Sequence, residues 1–598
     1  MSVFRAEAFL HGLPNVLDKQ RTKHEYWVYD SVREDLEQDG IVNGLHPFSL
    51  AAKVNSADTP TFHEAMSGVD RAKFLKAMDA EIEGLDHKDA WTVTDKTDEM
   101  NILDSTWTYK VKRFPDGTVR KYKARLCARG DQQIQGVDYF ETYAPVVSWS
   151  TVRLMLALSV RLGLKTKQVD YTLAFIHSKL PENEKVFMRI PRMYHEPGKS
   201  IEENKHRVLK LNRSIYGLAQ SPLNWFKRLK RGLERRGFKP SKMDPCLFIS
   251  KKVLCLVYVD DCLFFARDEA DIDKAIESLK TGEDKFELNV ENDVAGFLGV
   301  LMKKSKDKTT IELLQTGLID RVIAATGLEG TTARRTPTQG NPLGADVDGD
   351  PCEEIWNYSS VIGMLMYLAA NSRPDIAFAV HQCARYSHAP RRSHEIAVIH
   401  IVRYLIGTRT RGMVISQPKG ASLEDDLTLD CYADASFAGL WGYENDQDPS
   451  SVKSRTGFVI TLGGTPVLWT SKMQTEICLS TMESEYVAVA HAMRELLPMK
   501  KLLKEVAKAL KVDKVKLSKV STVWEDNAGA QMLANKEMPL MTPRTKHFGI
   551  KYHWFRSHID GINFAVEKID GAVQKGDIFT KGLSFKEFVE KRAMIMGW

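Results

Sequence analysis

Only eight cysteines are spread over 598 residues, at 127, 246, 255, 262, 352, 383, 431 and 478, and none form a CxxC spacing. Zinc ribbons, zinc knuckles and disulfide frameworks are therefore poorly supported. Several of these cysteines lie in apolar runs, where they act as small hydrophobes. No stretch approaches the roughly 20 apolar residues of a membrane span. The first residues, MSVFRAEAFLHG, carry Arg and Glu among the apolar ones and have no signal-peptide core. Internal repeats and low-complexity segments are missing too. The net charge of +6 permits a polyanionic partner without demanding one, so the distribution of charge matters more. The expectation is a soluble intracellular chain of three to five domains.

Against that background one stretch stands out. Val253–Ala266, VLCLVYVDDCLFFA, reads as two buried strands joined by a turn, with Asp260 and Asp261 side by side at its centre. Buried charges are expensive unless paired or bound to a metal. The plain alternative is a hairpin turn whose two acids face water. The apolar strands on both sides and Tyr258 favour a cation site.

The rest of the chain is mixed in character. Asp70–Trp91 has helical periodicity, with Phe74, Met78, Ile82 and Leu85 on one face. Trp107–Arg129 reads as a hairpin around Pro-Asp-Gly. It is dense in Lys110, Lys112, Arg113, Arg120, Lys121, Lys123, Arg125 and Arg129, which suggests phosphate contact over a merely solvated surface. Ser150–Leu164 reads as a capped helix, and Lys165–Phe175 as a strand then a turn, with Asp170 near the strand end. Trp225–Arg236 is a basic amphipathic helix, usually a solvated face but able to track phosphates. Thr336–Glu354, rich in Pro, Gly and Asp, is the best linker. A helical block occupies 357–410, and from about Leu427 a separate α/β pattern begins.

Asp170, Asp260 and Asp261 each sit at a predicted strand end or hairpin tip, compatible with one antiparallel sheet. Carboxylates so placed can hold two divalent ions for an in-line displacement at phosphorus. Hard oxygen ligands imply Mg²⁺, with Mn²⁺ as a substitute.

Tyr258-Val259-Asp260-Asp261 resembles the YxDD box of reverse transcriptases, and its surroundings resemble those of copia-type LTR retrotransposons. VRKYKARLCARG resembles that family's fingers hairpin, VDYTLAFIHSKL its first catalytic motif, SIYGLAQSPLNWF the flank of its nucleotide pocket, and GFLGVLM its primer grip. The resemblance runs from about Asp70 to Lys581. It implies metal ligation by Asp170 and Asp260, with Asp261 completing the site less directly. It implies that Phe175 is an aromatic gate against a 2′-OH. Lys112, Lys123 and Arg125 become candidates for the triphosphate, with Tyr171, Tyr216, Gly217 and Gln220 beside the nucleotide. Gly217 would let backbone approach it closely. Tyr258 would pack on the primer terminus, with Phe297, Leu298 and Gly299 at the primer grip.

A second acid set lies in the last domain. Asp434 ends a strand, Glu485 is on a long helix, Asp526 ends another strand and Asp577 opens the last helix. Four acids converging from strands and helices suit two-metal hydrolysis of a phosphodiester, and their order resembles the family's ribonuclease H. Glu483, three residues after Ser480, fits a capping box; Glu485 better fits the inward metal-binding acid. Many ribonucleases H carry a His shortly before the last acid, and Glu567–Asp577 has none. His547 and His553 come earlier and are expected to be structural or substrate-facing.

The resemblance thus implies an α+β multidomain chain: a right-hand polymerase (fingers, palm, thumb) plus connection, followed by an α/β ribonuclease H-like domain. Expected borders are 1–60 (an extension of unassigned role), 61–305 (fingers and palm), 306–355 (thumb and linker), 356–425 (connection) and 426–598 (ribonuclease H). Implied partners are an RNA template, a DNA primer, the RNA–DNA hybrid and dNTPs. No membrane is implied, and a homodimer is left open. The implied location is the cytoplasm within a virus-like particle, or the nucleus. The competing reading is a domesticated or decayed element that binds nucleic acid without catalysis. An RNA-directed RNA polymerase conflicts with Phe175 and the second acid set. With no zinc cluster or protease triad in the sequence, the chain is expected to be the C-terminal product of a longer polyprotein, or an element fragment with its own Met.

Overall fold

The computed structural model describes residues 58–598, apart from 114–118, 192–193, 195–205, 283, 293, 295, 341, 417–426, 444–447, 449, 513–519 and 537–549. Its architecture is mixed α/β. His547 lies outside the described residues.

After a short helical turn at Phe62–Ser67, helix α1 spans Arg71–Asp86 and buries Phe74, Met78 and Leu85. It stops short of the expected Trp91. Asp89 turns the chain at φ +51°, and the β-forming run Trp91-Thr-Val-Thr then pairs with Arg207–Leu211. Helix α1 covers a hairpin made of β1 (Ser105–Arg113) and β2 (Val119–Ala128). Phe74 sets its ring edge-on to Tyr109 and Tyr122, at 5.3 and 5.0 Å.

Helix α2 (Trp149–Leu162) is buried on every side except at Ser150. Such a helix must be enclosed by other elements. Its N-terminus is capped by the Ser148 hydroxyl, which accepts from Thr151 N–H, and it ends at Gly163 with φ +61°. Next comes β3 (Lys165–Tyr171), in the middle of a six-stranded sheet. The order across that sheet is Leu288–Glu291, β3, β5 (Asp261–Ala266), β4 (Val253–Tyr258), Leu247–Ile249 and Lys239–Pro240. Leu254, Leu256, Leu263 and Phe265 face the same core as α2. Cys255, Val257, Cys262 and Phe264 face the other way, towards α3 (Ser221–Glu234) and the helix Glu269–Lys280. Burial on both faces explains why the strands read as unbroken apolar runs.

Strands β6 (Val300–Lys304) and β7 (Thr310–Leu314) form a hairpin across the expected border at 305/306. Strand β7 also pairs with β8 (Met413–Ser416), about a hundred residues later. Between them lie α4 (Thr316–Thr326), α5 (Tyr358–Asn371), α6 (Ala377–Ala384) and α7 (Arg392–Gly407).

Described residues of the expected linker, 336–354, are tied onto the helical block. Tyr386 O–H donates to the Leu343 carbonyl at 2.9 Å, and Ser393 O–H to the Asp346 carboxylate at 2.5 Å. His394 Nε2 lies 2.8 Å from the Gly344 carbonyl. Pro and Gly supplied the turns, and side chains from distant helices supplied the missing hydrogen bonds.

The C-terminal sheet has the order β11 (Thr465–Met473), β10 (Arg455–Leu462), β9 (Leu429–Ser436), β12 (Ser521–Glu525), β13 (Phe564–Lys568). β9–β10 and β10–β11 are antiparallel, while β9–β12 and β12–β13 are parallel. The 29-residue helix α8 (Thr481–Ala509) packs on it, with α9 (Ala528–Ala534) and α10 (Phe585–Met596) completing the unit. Among the described residues, no helix is long and apolar enough to cross a membrane.

One continuous hydrophobic core runs from Val147 through α2, the helical block and the C-terminal sheet to Met596. Arg153 of α2 is enclosed in it. Its guanidinium donates to the carbonyls of Val467 and Ala370, both at 2.8 Å, and lies 3.9 Å over the Trp469 ring.

Candidate active sites

The first acid set is built by strand register. Tyr258 pairs with Asp261 across the β4–β5 hairpin, leaving Val259 and Asp260 as a two-residue turn. Asp261 in turn pairs with Asp170 on β3. Directly paired residues point to the same face with Cβ atoms roughly 5 Å apart. The two carboxylates therefore share a face, with Asp260 at the tip beside them. Val259 holds φ at +50°, a costly conformation for a β-branched residue. Trp225 of α3 clamps it by donating its indole N–H to the Val259 carbonyl at 2.5 Å. Burial pushes the Asp261 carboxyl up to about 7, reinforced by Asp260, Asp170 and Glu291. Gln168 Nε2 donates to Asp261 at 3.2 Å.

The hairpin β1–β2 meets this site through Arg125. Its guanidinium lies 4.3 Å over the Tyr216 ring, and it feels the charge of Asp260. Phe175 is 6% exposed and stands edge-on to Tyr216 at 4.8 Å. Arg125, Tyr216 and Phe175 thus form one stack between the hairpin and the sheet. Lys123 lies two residues before Arg125 on β2 and is half-buried; the Lys112 side chain lies outside the described residues.

Six of the residues expected at the nucleotide or primer lie inside the protein or against other segments. Tyr171 follows Asp170 on β3, so strand alternation turns it to the opposite face. There it packs on Trp225 and Phe286 at 5.1 and 5.4 Å. Gln220 is 0% exposed and is consumed inside the protein. Its amide donates to the Asp138 carbonyl at 3.0 Å and to Glu184 at 3.1 Å, while its oxygen accepts from Gln133. Gly217 does permit a close approach, but to β2: a Cβ there would fall 1.9 Å from the Ala128 carbonyl, and its φ is +100°. Phe297 and Leu298 are buried, with Gly299 alone exposed at that turn. Tyr258 is also buried, its ring 6.4 Å from Phe297.

The basic helix α3 spends much of its charge internally. Arg228 and Arg235 both pair with Asp284, Lys227 with Glu141, and Arg236 donates to the carbonyls of Ser278, Gly232 and Thr281.

The second set converges more tightly. Carboxylate oxygens of Asp434, Glu485 and Asp526 all lie within 4.8 Å of one another. The parallel pairs Cys431–Val523 and Tyr432–Trp524 bring β9 and β12 into step, so Asp434 and Asp526, each two residues on, sit level. Glu485 descends from α8 with only 4% exposure. Glu483 folds back at the start of α8, accepting from Leu479 N–H at 2.6 Å, while the Ser480 hydroxyl accepts from Glu483 N–H. Asp577 lies in a 3₁₀ turn, Lys575–Phe579, before α10 rather than on it. Its carboxylate is held by Lys581 at 2.5 Å and Lys591 at 3.0 Å, and it stands outside the group of three. Gly576 lets this turn graze the strand, since a Cβ there would lie 2.7 Å from Cβ of Asp434. His553 is buried, its Nδ1 2.9 Å from the Tyr486 hydroxyl.

Burial and mutual repulsion shape the electrostatics. Asp434 is raised to about 7, by burial first and then by Asp577 and Asp526, with Lys581 opposing. Glu485 is raised to about 11, by burial and then by Glu525, Asp434 and Asp526. Asp526 is raised by burial and Asp577. Buried acids that destabilise one another in this way fit a divalent cation with hard oxygen preference.

Sequence reasoning missed four neighbours. Thr580 donates its hydroxyl to Asp434, Lys581 and Lys591 hold Asp577, and the charge of Glu525 acts on Glu485. Lys581, four residues after Asp577 in a helical turn, carried a legible signal. So did Glu525, which alternates with Val523 onto the buried face. Lys591 arrives from α10 and had none.

Residues 88–340 match the family model described as "Reverse transcriptase (RNA-dependent DNA polymerase)". The chain is 30% identical over 536 residues to the retrovirus-related Pol polyprotein from transposon TNT 1-94 of Nicotiana tabacum, covering 88% of this chain and 38% of that one. It is 29% identical to the Pol polyprotein from transposon RE1 of Arabidopsis thaliana, covering 92% and 36%. To the Ty1-GR2 Gag-Pol polyprotein of Saccharomyces cerevisiae it is 24% identical, covering 87% and 28%. The chain therefore spans between 28% and 38% of the length of these curated relatives. A solved structure of the foamy viral protease-reverse transcriptase in complex with double-stranded DNA aligns over 95% of this chain and 82% of that one, at 12% identity and a TM-score of 0.40.

Proposed function

The chain belongs to the copia-type LTR retrotransposon pol proteins, and from that premise we propose that it copies RNA into DNA and degrades the RNA of the resulting hybrid. The observation that carries the polymerase half is the register pairing of Asp170 with Asp261, with Asp260 at the tip. In this reading 61–305 is fingers and palm, 306–355 thumb, 356–425 connection and 426–598 ribonuclease H.

At the first site Asp170 and Asp260 would hold Mg²⁺, with Asp261 beside them. Bound there, two such ions supply activation of the primer 3′-hydroxyl and stabilisation of the leaving pyrophosphate. The chain's own side chains position the reactants. Arg125 and Lys123 face the triphosphate, Arg125 being preorganised on Tyr216. Phe175, fixed under that stack, excludes a 2′-OH and so selects deoxynucleotides. The exposed turn at Gly299 offers backbone, rather than Phe297 or Leu298 side chains, to the primer strand.

At the second site Asp434, Glu485 and Asp526 would hold the ion, and Asp577 would join them on release from Lys581. The buried Oε2 of Glu485, unpartnered among the described residues, supports a cation there. Water would attack the RNA phosphodiester, and the chain's task is to hold the scissile phosphate over three fixed carboxylates.

The test is primer extension on poly(rA)/oligo(dT) with dTTP and Mg²⁺, beside cleavage of a labelled RNA–DNA hybrid. Asp260→Asn should lose extension and keep cleavage; Glu485→Gln should do the reverse. A folded parent that binds hybrid but neither extends nor cleaves would return the chain to a non-catalytic binder.

A further inference from the structure

Glu525 is as buried as any acid among the described residues, at 0% exposure, yet it is no part of the three-carboxylate group. It ends β12 one residue before Asp526. Ser521, Val523 and Glu525 alternate onto the buried side of the sheet, the side on which α8 packs. Its backbone carbonyl accepts from Ile569 N–H at 3.0 Å, and its Oε1 accepts from Asn527 N–H at 3.0 Å. Both tethers fix the side chain. Its Oε2 is buried and, among the described residues, has no hydrogen-bond partner.

Glu485 presents the matching situation from α8. One side of its carboxylate receives the Ala435 backbone N–H, and its Oε2 is buried and unpartnered. Of the charged neighbours acting on Glu485, Glu525 acts most strongly. Both orphaned oxygens are buried, and Glu525 directly precedes Asp526, which shares the three-carboxylate group with Glu485. Lys581 and Lys591 are committed to Asp577 and Asp434, and Lys568, whose charge acts on Glu525, donates to the Asp526 carbonyl at 3.3 Å. Buried acceptors left this way need donors, and Mg²⁺ keeps several of its waters when a protein binds it.

We propose that Glu525 is a positioning residue for the ion held by Asp434, Glu485 and Asp526, accepting hydrogen bonds from its coordinated water through Oε2. This rests on the ribonuclease reading of the second site. Such outer acceptors orient the inner ligands and raise affinity, and their loss typically costs about 10–100-fold in metal affinity.

The experiment is Mn²⁺ titration of the full chain by electron paramagnetic resonance. It is done in an Asp170→Asn, Asp260→Asn, Asp261→Asn background, so that the polymerase site does not contribute, and melting without metal is recorded alongside. Glu525→Gln keeps the volume and an acceptor for Asn527 N–H while removing the charge, and Glu485→Gln is the control. The expected result is Mn²⁺ binding weakened about tenfold or more, with metal-free melting equal to or above the parent's. Weakening of less than about fivefold overturns the proposal, as does earlier metal-free melting, which would make Glu525 a structural residue. If the parent background binds no Mn²⁺ that Glu485→Gln abolishes, the ribonuclease reading itself fails and this proposal falls with it.

Discussion

Asp170 and Asp261 stand directly opposite each other on β3 and β5, so one sheet face carries both carboxylates and the adjoining turn adds Asp260. Removing the charge at either ligand position should leave the sheet intact. Asp260→Asn and Asp170→Asn are each expected to cut primer extension about a thousandfold or more, the several kcal/mol that metal-bound oxygens contribute to phosphoryl transfer. Their melting temperatures should stay near the parent's, because Asp170 is exposed and Asp260 only half-buried. A steady-state extension assay with parallel melts checks both.

Trp225→Phe keeps the aromatic packing and deletes the N–H that holds the Val259 carbonyl. With a strained turn released, extension should fall several-fold and stability by about 1–2 kcal/mol. Hybrid cleavage at the second acid cluster should hold within about twofold. Paired assays on one preparation separate a local effect from a general loss of folding.

Gly217→Ala should be far more damaging than its single methyl suggests. The new Cβ meets the Ala128 carbonyl at 1.9 Å in a backbone at φ +100°, and neither neighbour is a flexible side-chain end. A loss of about 3 kcal/mol or more is expected, read as a lowered melting temperature or loss of soluble chain.

The pH dependence follows from the raised carboxyls. Asp261 and Asp434 are both pushed up to about 7, so the folded chain binds protons more tightly than the unfolded one between about pH 4 and pH 7. Metal-free stability should accordingly decline as pH rises through that window and level off above it for these two groups. Glu485, raised to about 11, continues the decline at higher pH. Mg²⁺ binds the ionised forms, so its stabilising increment should grow as pH passes 7. Melting curves from pH 4 to 9 with and without MgCl₂ test this, and an increment that shrinks with pH would count against the assigned carboxylates.

Legibility in the sequence followed the range of the interaction. The hairpin Val253–Ala266 could be read because both faces of its strands are covered, which leaves an unbroken apolar run around two acids. Asp434, Glu485, Asp526 and Asp577 form a set from their strand and helix ends, of which the structure draws the first three together. Tyr171 has the opposite strand parity to Asp170, so its packing on Trp225 follows from alternation alone. The surroundings of Gln220 and Gly217 were illegible for another reason. Their partners, Gln133, Asp138, Glu184 and Ala128, come from other segments, and spacing along the chain says nothing of them. The same holds for Lys591 and for the 336–354 segment, whose anchors lie on α7 and its neighbours.

Helix α2 is wedged between the sheet that carries Asp170 and the C-terminal hairpin β10–β11, with Arg153 bonded into Val467 and Ala370 across the join. On the proposed reading, synthesis and cleavage then ride on one frame. Each nucleotide added at the first site must carry the second site one nucleotide along the same duplex. The separation between the growing 3′ end and the cut RNA is set as by the length of a ruler. Any substitution that loosens Arg153 should blur the size distribution of the RNA fragments before it slows either chemistry.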